Sequence, residues 1–414
     1  MSRCRFPFRR WASFTKARTP SFLSRGRAHK PGLTSVSDYS SRVSTDTSAV
    51  DFKTTPAAER ASAATRDRLL ANPGFGQLFS EHMVRMSWDR ERGWHDAELR
   101  PYGPLQLDPG VSVLHYAQAV FEGLKAYRQQ DGGIAVFRPD AHAARFRRSA
   151  RRLALPELPD PLFIESIERL LSIDGEWVPS APEHSLYLRP FMYASEVSLS
   201  VHPSTEVTFL LIASPSGSYF PSGVKPVTVW LSEDFSRAAP GGTGEAKTGG
   251  NYAGGLLAQA QAAEQGCDQV VWLDSKEHRW VEEMGGMNLC FVYGAGRNVR
   301  LLTPALTGTL LPGVTRDALL KLTADLGFKA EEGRISTDEW RAGCEDGSLT
   351  EVFACGTAAV ITPVGAVKSA HGSWAVGDGK PGQVSMRLRQ SLVDIQRGSA
   401  PDPHGWMHRV ARVV

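Results

Sequence analysis

Ahead of Asp38 the chain carries no acidic residue at all. Nor does it contain eighteen consecutive apolar residues anywhere, which argues against a helical membrane span. Cysteine is scarce: Cys4, Cys267, Cys290, Cys344 and Cys355 make five, an odd and widely spaced set in 414 residues. Such a set is no disulfide framework and has no structural-zinc spacing, so free thiols in a reducing compartment and no metal site are expected. A strong charge of one sign is missing too. The formal net charge is +3, but nine of the 47 basic residues precede Asp38; without them 38 face 44 acidic residues, or −6. A mildly acidic body offers no basic footprint for nucleic acid, and no nucleic-acid partner is expected.

The acid-free beginning, 1–45, is rich in Ser and Arg and has no clear periodicity, so it reads as a disordered basic leader. It suits a transit-like presequence or a dispensable tail. A cytoplasmic location is expected, or a mitochondrial one if the leader is a transit peptide. At 42% hydrophobic and 22% charged residues, the remainder is an ordinary globular chain long enough for two domains. The turn-dense run Pro215–Gly223 places the boundary, giving a smaller α/β domain at 46–217, a connecting loop at 218–224 and a larger domain at 225–414.

Glycine, by contrast, is abundant, and five glycines surround one lysine in the stretch from Gly241 to Tyr252. Lys247 there is a candidate phosphate contact or amine nucleophile. Upstream, Val120–Arg128 alternates as a strand, with Ile134–Phe137 as its hairpin partner. Pro139 and Asp140 open a helix crowded by Arg145, Arg147, Arg148, Arg151 and Arg152, some of which are expected to meet an anion. Residues 160–173 form a second amphipathic helix, and Leu186–Tyr193 and Val207–Ala213 are strands. Beyond Lys247 a helix is expected from Asn251 to Gln265, then a hairpin of Gln269–Leu273 with His278–Val281. Glu283 sits in a Gly-rich segment, and two donor-rich loops follow, around Thr315 at a helix start and around Thr357 beside Gly356.

A nucleotide-binding loop would put its lysine directly after glycine and Ser or Thr at the helix start; here Ala246 precedes Lys247 and two glycines intervene. Pyridoxal phosphate suits the set better, since it asks for a lysine, an anion cradle and a carboxylate for its ring nitrogen.

Several segments together resemble the branched-chain amino acid aminotransferases, from Phe75 to Trp406: His115-Tyr116 through Lys125, Tyr187–Pro190, Gly241–Tyr252, Glu282–Asn288, Leu311–Arg316 and Gly356-Thr357-Ala358. The resemblance implies an α/β (α+β) chain of fold type IV with two domains, the larger binding pyridoxal 5'-phosphate, and the active site at their interface. It identifies Lys247 with the Schiff-base lysine, Glu283 rather than Glu282 with the ring-nitrogen partner, and Tyr252 with the tyrosine at the phenolic oxygen. Arg145, Val314, Thr315 and Thr357 would hold the phosphate, leaving the other helix arginines to solvent. For the substrate it implies an aromatic pocket of Tyr116, Phe121, Tyr187 and Tyr219, with Arg189 at its edge, and Tyr116 with the backbone N–H groups around Ala358 for the carboxylate. L-Leu, L-Ile and L-Val would exchange amino groups with 2-oxoglutarate and L-Glu. A homodimer is implied, the partner lending a loop with Leu199 and Val201. D-amino acid aminotransferases and aminodeoxychorismate lyases share the fold and remain alternatives. Two departures stand out. Ala359 and Thr362 occupy the positions of a Cys-x-x-Cys pair found in mammalian members, so that thiol switch is expected to be absent; Gly286 replaces a threonine near the substrate.

Overall fold

Alternating side-chain character builds the first sheet. The computed structural model describes residues 50–218 and 223–410, so the leader, Tyr219 and most of the expected connecting loop lie outside it. Strands Phe52–Thr54 (β1), His82–Asp89 (β2), Gly93–Pro101 (β3), Ala119–Phe121 (β4), Leu124–Arg128 (β5), Ile134–Phe137 (β6), Ser185–Ala194 (β7) and Glu206–Ser216 (β8) run in the order β1-β3-β2-β8-β7-β5-β6, with β4 also on β7. In β7 Leu186, Leu188, Pro190 and Met192 are buried on one face, while Tyr187, Arg189 and Phe191 lie half-buried on the other.

The expected strand over Val120–Arg128 is interrupted. Glu122 and Gly123 separate β4 from β5; the Glu122 N–H still donates to the Pro190 carbonyl of β7 at 2.7 Å, while its carboxylate turns fully inward to meet an arginine and a histidine. Of the helices Ala63–Ala71 (α1), Ser112–Tyr116 (α2), Pro139–Arg152 (α3) and Asp160–Asp174 (α4), the last two cover this sheet. Phe146 and Ala150 of α3 and Phe163, Ile167, Leu170 and Leu171 of α4 join Met86, Leu124, Leu188, Phe209 and Leu211 in one core. Each such large side chain contributes up to about 1.5–3 kcal/mol by leaving water.

The second sheet contains Val227–Ser232 (β9), Gln269–Leu273 (β10), Val281–Met284 (β11), Met287–Tyr293 (β12), Arg300–Pro304 (β13), Lys329–Gly333 (β14), Leu349–Gly356 (β15), Val360–Ser369 (β16) and Gly372–Ala375 (β17). Its order is β11-β10-β9-β16-β15-β12-β13-β14, and because β11 also pairs with β12, six strands close into a ring. The hairpin partner of β10 begins at Val281 rather than His278, so Glu282 and Glu283 are strand residues, both buried. The helix expected from Asn251 is split into Gly249–Ala253 (α5) and Leu256–Glu264 (α6), where Gly254 and Gly255 interrupt it. Val314–Asp325 (α7), Thr337–Glu345 (α8) and Gln383–Arg397 (α9) follow.

The last strand, Met407–Val410 (β18), returns to pair with β6. Strand β18 therefore belongs to the first sheet, although it lies within the 225–414 stretch expected as the larger domain. The described residues form one compact unit containing both sheets.

Candidate active site

Lys247 is fixed by both halves of the chain. Its backbone N–H donates to Ser149 Oγ of α3 at 2.9 Å, and its carbonyl accepts the Phe121 N–H at 3.0 Å. Next to it, Thr248 Oγ1 donates to the Ala119 carbonyl at 2.8 Å, while Asn251 Nδ2 donates to the carbonyls of Thr243 and Ala246. Gly244 allows the close approach this loop needs: a Cβ there would stand 2.3 Å from the Thr309 carbonyl oxygen. Arg152 grips the loop from outside through the Gly241 and Gly242 carbonyls, at 2.8 and 3.2 Å. That corrects the expectation that the remaining α3 arginines only face solvent; Arg147 pairs with Asp160 and Arg151 with Glu157.

With its backbone pinned, the Lys247 Nζ lies 2.8 Å from Tyr252 Oη, over the rings of Phe121 and Tyr252. Glu283 is tied to the same loop by Arg237, whose guanidinium pairs with its carboxylate and donates to the Gly244 carbonyl. Burial raises the Glu283 carboxyl above its ordinary value, opposed by Arg237, the Leu311 N–H and Lys247. Arg237 Nε is 3.1 Å from Glu283 Oε2, and Asn288 Nδ2 donates to Oε1 at 3.4 Å and to the Leu311 carbonyl at 3.0 Å. Glu282 instead accepts from Thr309 and is likewise raised by burial. Arg237 escaped the sequence reading, because no spacing ties it to a carboxylate two strands away.

The anion end is built from three elements. Arg145 on α3 is 4% exposed; its Nε and Nη2 donate to the two Glu122 oxygens at 2.7 and 2.8 Å, and Nη1 to the Pro312 carbonyl at 3.1 Å. His142 Nδ1 meets the same carboxylate at 2.7 Å. Burial alone would raise Glu122, but Arg145, by charge and hydrogen bond, and His142 hold it far below the usual carboxylate range. The pair thus aims Arg145 at the start of α7. There Gly313 supplies no side-chain cap, so the first-turn N–H groups of Val314 and Thr315 have no partner within the helix. Thr315, Gly356 and Thr357 line one cavity with Lys125 and His142. An uncapped helix start, an arginine and two threonines suit a phosphate, and the amine, phenol and buried carboxylate suit the ring of pyridoxal phosphate.

The substrate candidates fall into two groups. Phe121, Tyr187 and Arg189 form one wall: Arg189 lies over the rings of Phe121 and Tyr187, and its Nη2 donates to Tyr187 Oη at 3.2 Å. Its Nε is buried without a partner among the described residues. Tyr187 Oη also rests on Gly123, where a Cβ would come within 1.8 Å. Ala358 lies in the turn after β15, and Tyr219 is outside the described residues.

Tyr116 belongs to the second group. Its hydroxyl donates to the Leu199 carbonyl, and Val111 bridges Val197, so α2 and the Leu199–Val201 loop form one piece. Tyr116, Leu199 and Val201 are 41%, 66% and 81% exposed. The chain therefore places Tyr116 with Leu199 and Val201, not separately from them.

Other clusters are structural. Glu81, His82 and Asp174 bring ligand-type atoms within 4.8 Å. Each already serves the chain: His82 Nδ1 meets Asp174 at 2.6 Å, His82 Nε2 accepts from the Ala57 N–H, and Glu81 accepts from Arg60 and the Ala61 N–H. Ala359 and Thr362 are buried. Cys355 neighbours Cys290 rather than being isolated; that hydrogen bond and burial push its thiol well up, leaving it an inert core group. At Gly286 a Cβ would press on the Tyr252 ring at 3.2 Å. No helix among the described residues is long and apolar enough to cross a membrane.

Residues 119–367 match the family described as amino-transferase class IV. Among curated proteins, the probable branched-chain-amino-acid aminotransferase of Streptomyces coelicolor is 59% identical over 357 residues, covering 86% of this chain and 98% of the relative. The branched-chain-amino-acid aminotransferase of Mycolicibacterium smegmatis is 58% identical over 362 residues, covering 87% and 98%. Among solved structures, the branched-chain amino acid aminotransferase of Escherichia coli aligns with a TM-score of 0.66 at 27% identity, covering 80% of this chain and all of that one.

Proposed function

This chain belongs to the amino-transferase class IV family, and from that premise we propose how its residues divide the work of a branched-chain amino acid aminotransferase. It catalyses reversible amino transfer between leucine, isoleucine or valine and 2-oxoglutarate, with pyridoxal phosphate as cofactor. Bound pyridoxal phosphate supplies a carbonyl carbon that accepts the amino group and a ring that takes up electrons from the substrate's α carbon. Lys247 would hold it, with Tyr252 at the phenolic oxygen, Glu283 at the ring nitrogen, and Arg145, Val314, Thr315 and Thr357 at the phosphate.

The observation that carries this reading is the Lys247 Nζ hydrogen-bonded to Tyr252 in a site that also holds the buried Glu283 carboxylate. Lys247 takes the substrate's α proton at Nζ and returns it, while the Tyr252 hydroxyl orients that amine. Glu283, whose rise on burial Arg237 opposes, would meet the proton of the ring nitrogen. Phe121 and Tyr187 exclude water from the side-chain pocket and offer it apolar faces. A missing methylene there costs only about 1–3 kcal/mol, so leucine, isoleucine and valine are all accepted. Arg189, whose Nε has no partner among the described residues, meets the distal carboxylate of glutamate or 2-oxoglutarate. Backbone N–H groups of the Thr357–Ala358 turn meet the α-carboxylate. The exposed Tyr116–Leu199–Val201 piece reaches the pocket of a second copy, making the working unit a homodimer.

Activity on L-leucine with 2-oxoglutarate, set against D-alanine with the same acceptor, tests the assignment. The L-branched substrate is expected to dominate. Preferential turnover of D-alanine would overturn it.

A further inference from the structure

A buried amine grips the Gly356–Val360 turn from behind. Lys125, on β5 of the first sheet, is 6% exposed and donates from Nζ to the Ala358 carbonyl at 2.8 Å, across to the second sheet. Among the described residues no carboxylate comes within ion-pair distance of it: Glu183, facing the same cleft, is engaged by Arg389 at 2.8 Å. Burying an ammonium without its own counter-ion is costly, and an apolar methionine would fill most of the space at less expense. What the amine adds is a hold on one particular carbonyl.

The turn needs that hold. Val360 has φ +63°, a left-handed conformation that β-branched residues rarely adopt, so the chain does not favour this shape by itself. Within the turn the Ile361 N–H donates to the Ala359 carbonyl two residues back, at 2.8 Å. We propose that Lys125 is a positioning residue for the substrate α-carboxylate: by fixing the Ala358 carbonyl it aims the N–H groups on the turn's other edge. The proposal rests on the reading of the Thr357–Ala358 turn given above.

Titration offers a readout that packing alone would not. Burial, helped by the nearby Arg389 and opposed by Glu183, lowers Lys125 to about 8. The other groups facing it stay constant around that pH. Arg397 on α9, although lowered by burial, is a guanidinium that stays charged in this range, and Arg389 beside it is engaged by Glu183. Burial raises Tyr127 on β5, keeping its phenol neutral, and lowers His142 on α3, keeping its imidazole neutral. Glu183, held down by its hydrogen bond to Arg389, stays ionised. The charged grip is therefore present below about pH 8 and lost above it.

The test uses the holoenzyme with 4-methylvaleric acid, the leucine skeleton without its amino group, as probe. Lys125→Met is expected to weaken its binding, and to raise KM for leucine and 2-oxoglutarate, roughly tenfold, the value of a lost charge-assisted hydrogen bond. Melting temperature and kcat are expected to stay near wild type. The wild-type affinity should fall above pH 8, and Lys125→Met should lack that limb. Lys125→Gln, which keeps a neutral donor, should recover part of the affinity without the limb. Unchanged affinity in Lys125→Met, or a lower melting temperature and cofactor loss with no change in affinity, overturns the proposal. Thr357→Ala separates the two readings. If it weakens cofactor retention while Lys125→Met changes nothing, only the role of Lys125 falls; if Thr357→Ala is also silent, the reading of the turn falls with it.

Discussion

Arg237 and Glu283 form a buried ion pair, Nε to Oε2 at 3.1 Å, with both side chains almost wholly out of solvent. The same guanidinium donates from Nη1 to the carbonyls of Gly244 and Thr309, at 3.2 and 2.7 Å. One residue thus ties the carboxylate to the loop that carries Lys247. Replacing it frees both.

Arg237→Met leaves burial to raise the Glu283 carboxyl unopposed by its largest partner. The carboxyl then protonates at higher pH, and a protonated Glu283 cannot serve a cationic ring nitrogen. Activity at neutral pH is expected to drop by about 10²-fold, on the scale of losing one preorganised electrostatic partner. The acid limb of the pH–rate profile should move upward, so part of the activity returns in alkali. An unchanged limb would contradict the role given to Arg237.

Gly123→Ala tests the substrate wall. The new Cβ would stand 1.8 Å from Tyr187 Oη, which Arg189 holds from the other side. Tyr187 must move, and Arg189 with it. Both leucine and 2-oxoglutarate are expected to lose kcat/KM by at least about tenfold, with 2-oxoglutarate suffering more. Steady-state kinetics with each substrate varied in turn gives the comparison, and circular dichroism confirms the fold is kept.

Glu122→Gln removes the carboxylate beneath Arg145. An unpaired buried guanidinium costs about 3–5 kcal/mol, read as a lower denaturation midpoint, and phosphate-bearing cofactor should be held less tightly. The native carboxyl is held below its unfolded value, so its contribution to stability is complete above about pH 4.3 and drains away as pH falls below that. The glutamine variant should lack this acid-dependent part of the unfolding curve.

Much of this site was legible before any coordinates. Lys247 among glycines, the Tyr187–Arg189 alternation and the helix start at Val314 are local patterns, and local geometry realised them. Helix α3 carried a further signal in its crowd of arginines, but which of them turns inward depends on Glu122 leaving a strand, a tertiary event. Arg237, Lys125 and Arg152 were missed as site-supporting groups for the same reason: each acts on a backbone or carboxylate far along the chain. Helix α9 and strand β18 were also not foreseen. Their faces are defined only once the first sheet is there to receive them, as the pairing of Met407–Val410 with β6 illustrates.

Borohydride reduction of the holoenzyme, followed by proteolysis and mass spectrometry, tests the central assignment most directly. The phosphopyridoxyl group is expected on the peptide containing Lys247 and nowhere else, with Lys247→Ala abolishing both the label and transamination. Label on another lysine, or undiminished amino transfer by Lys247→Ala, would contradict the account.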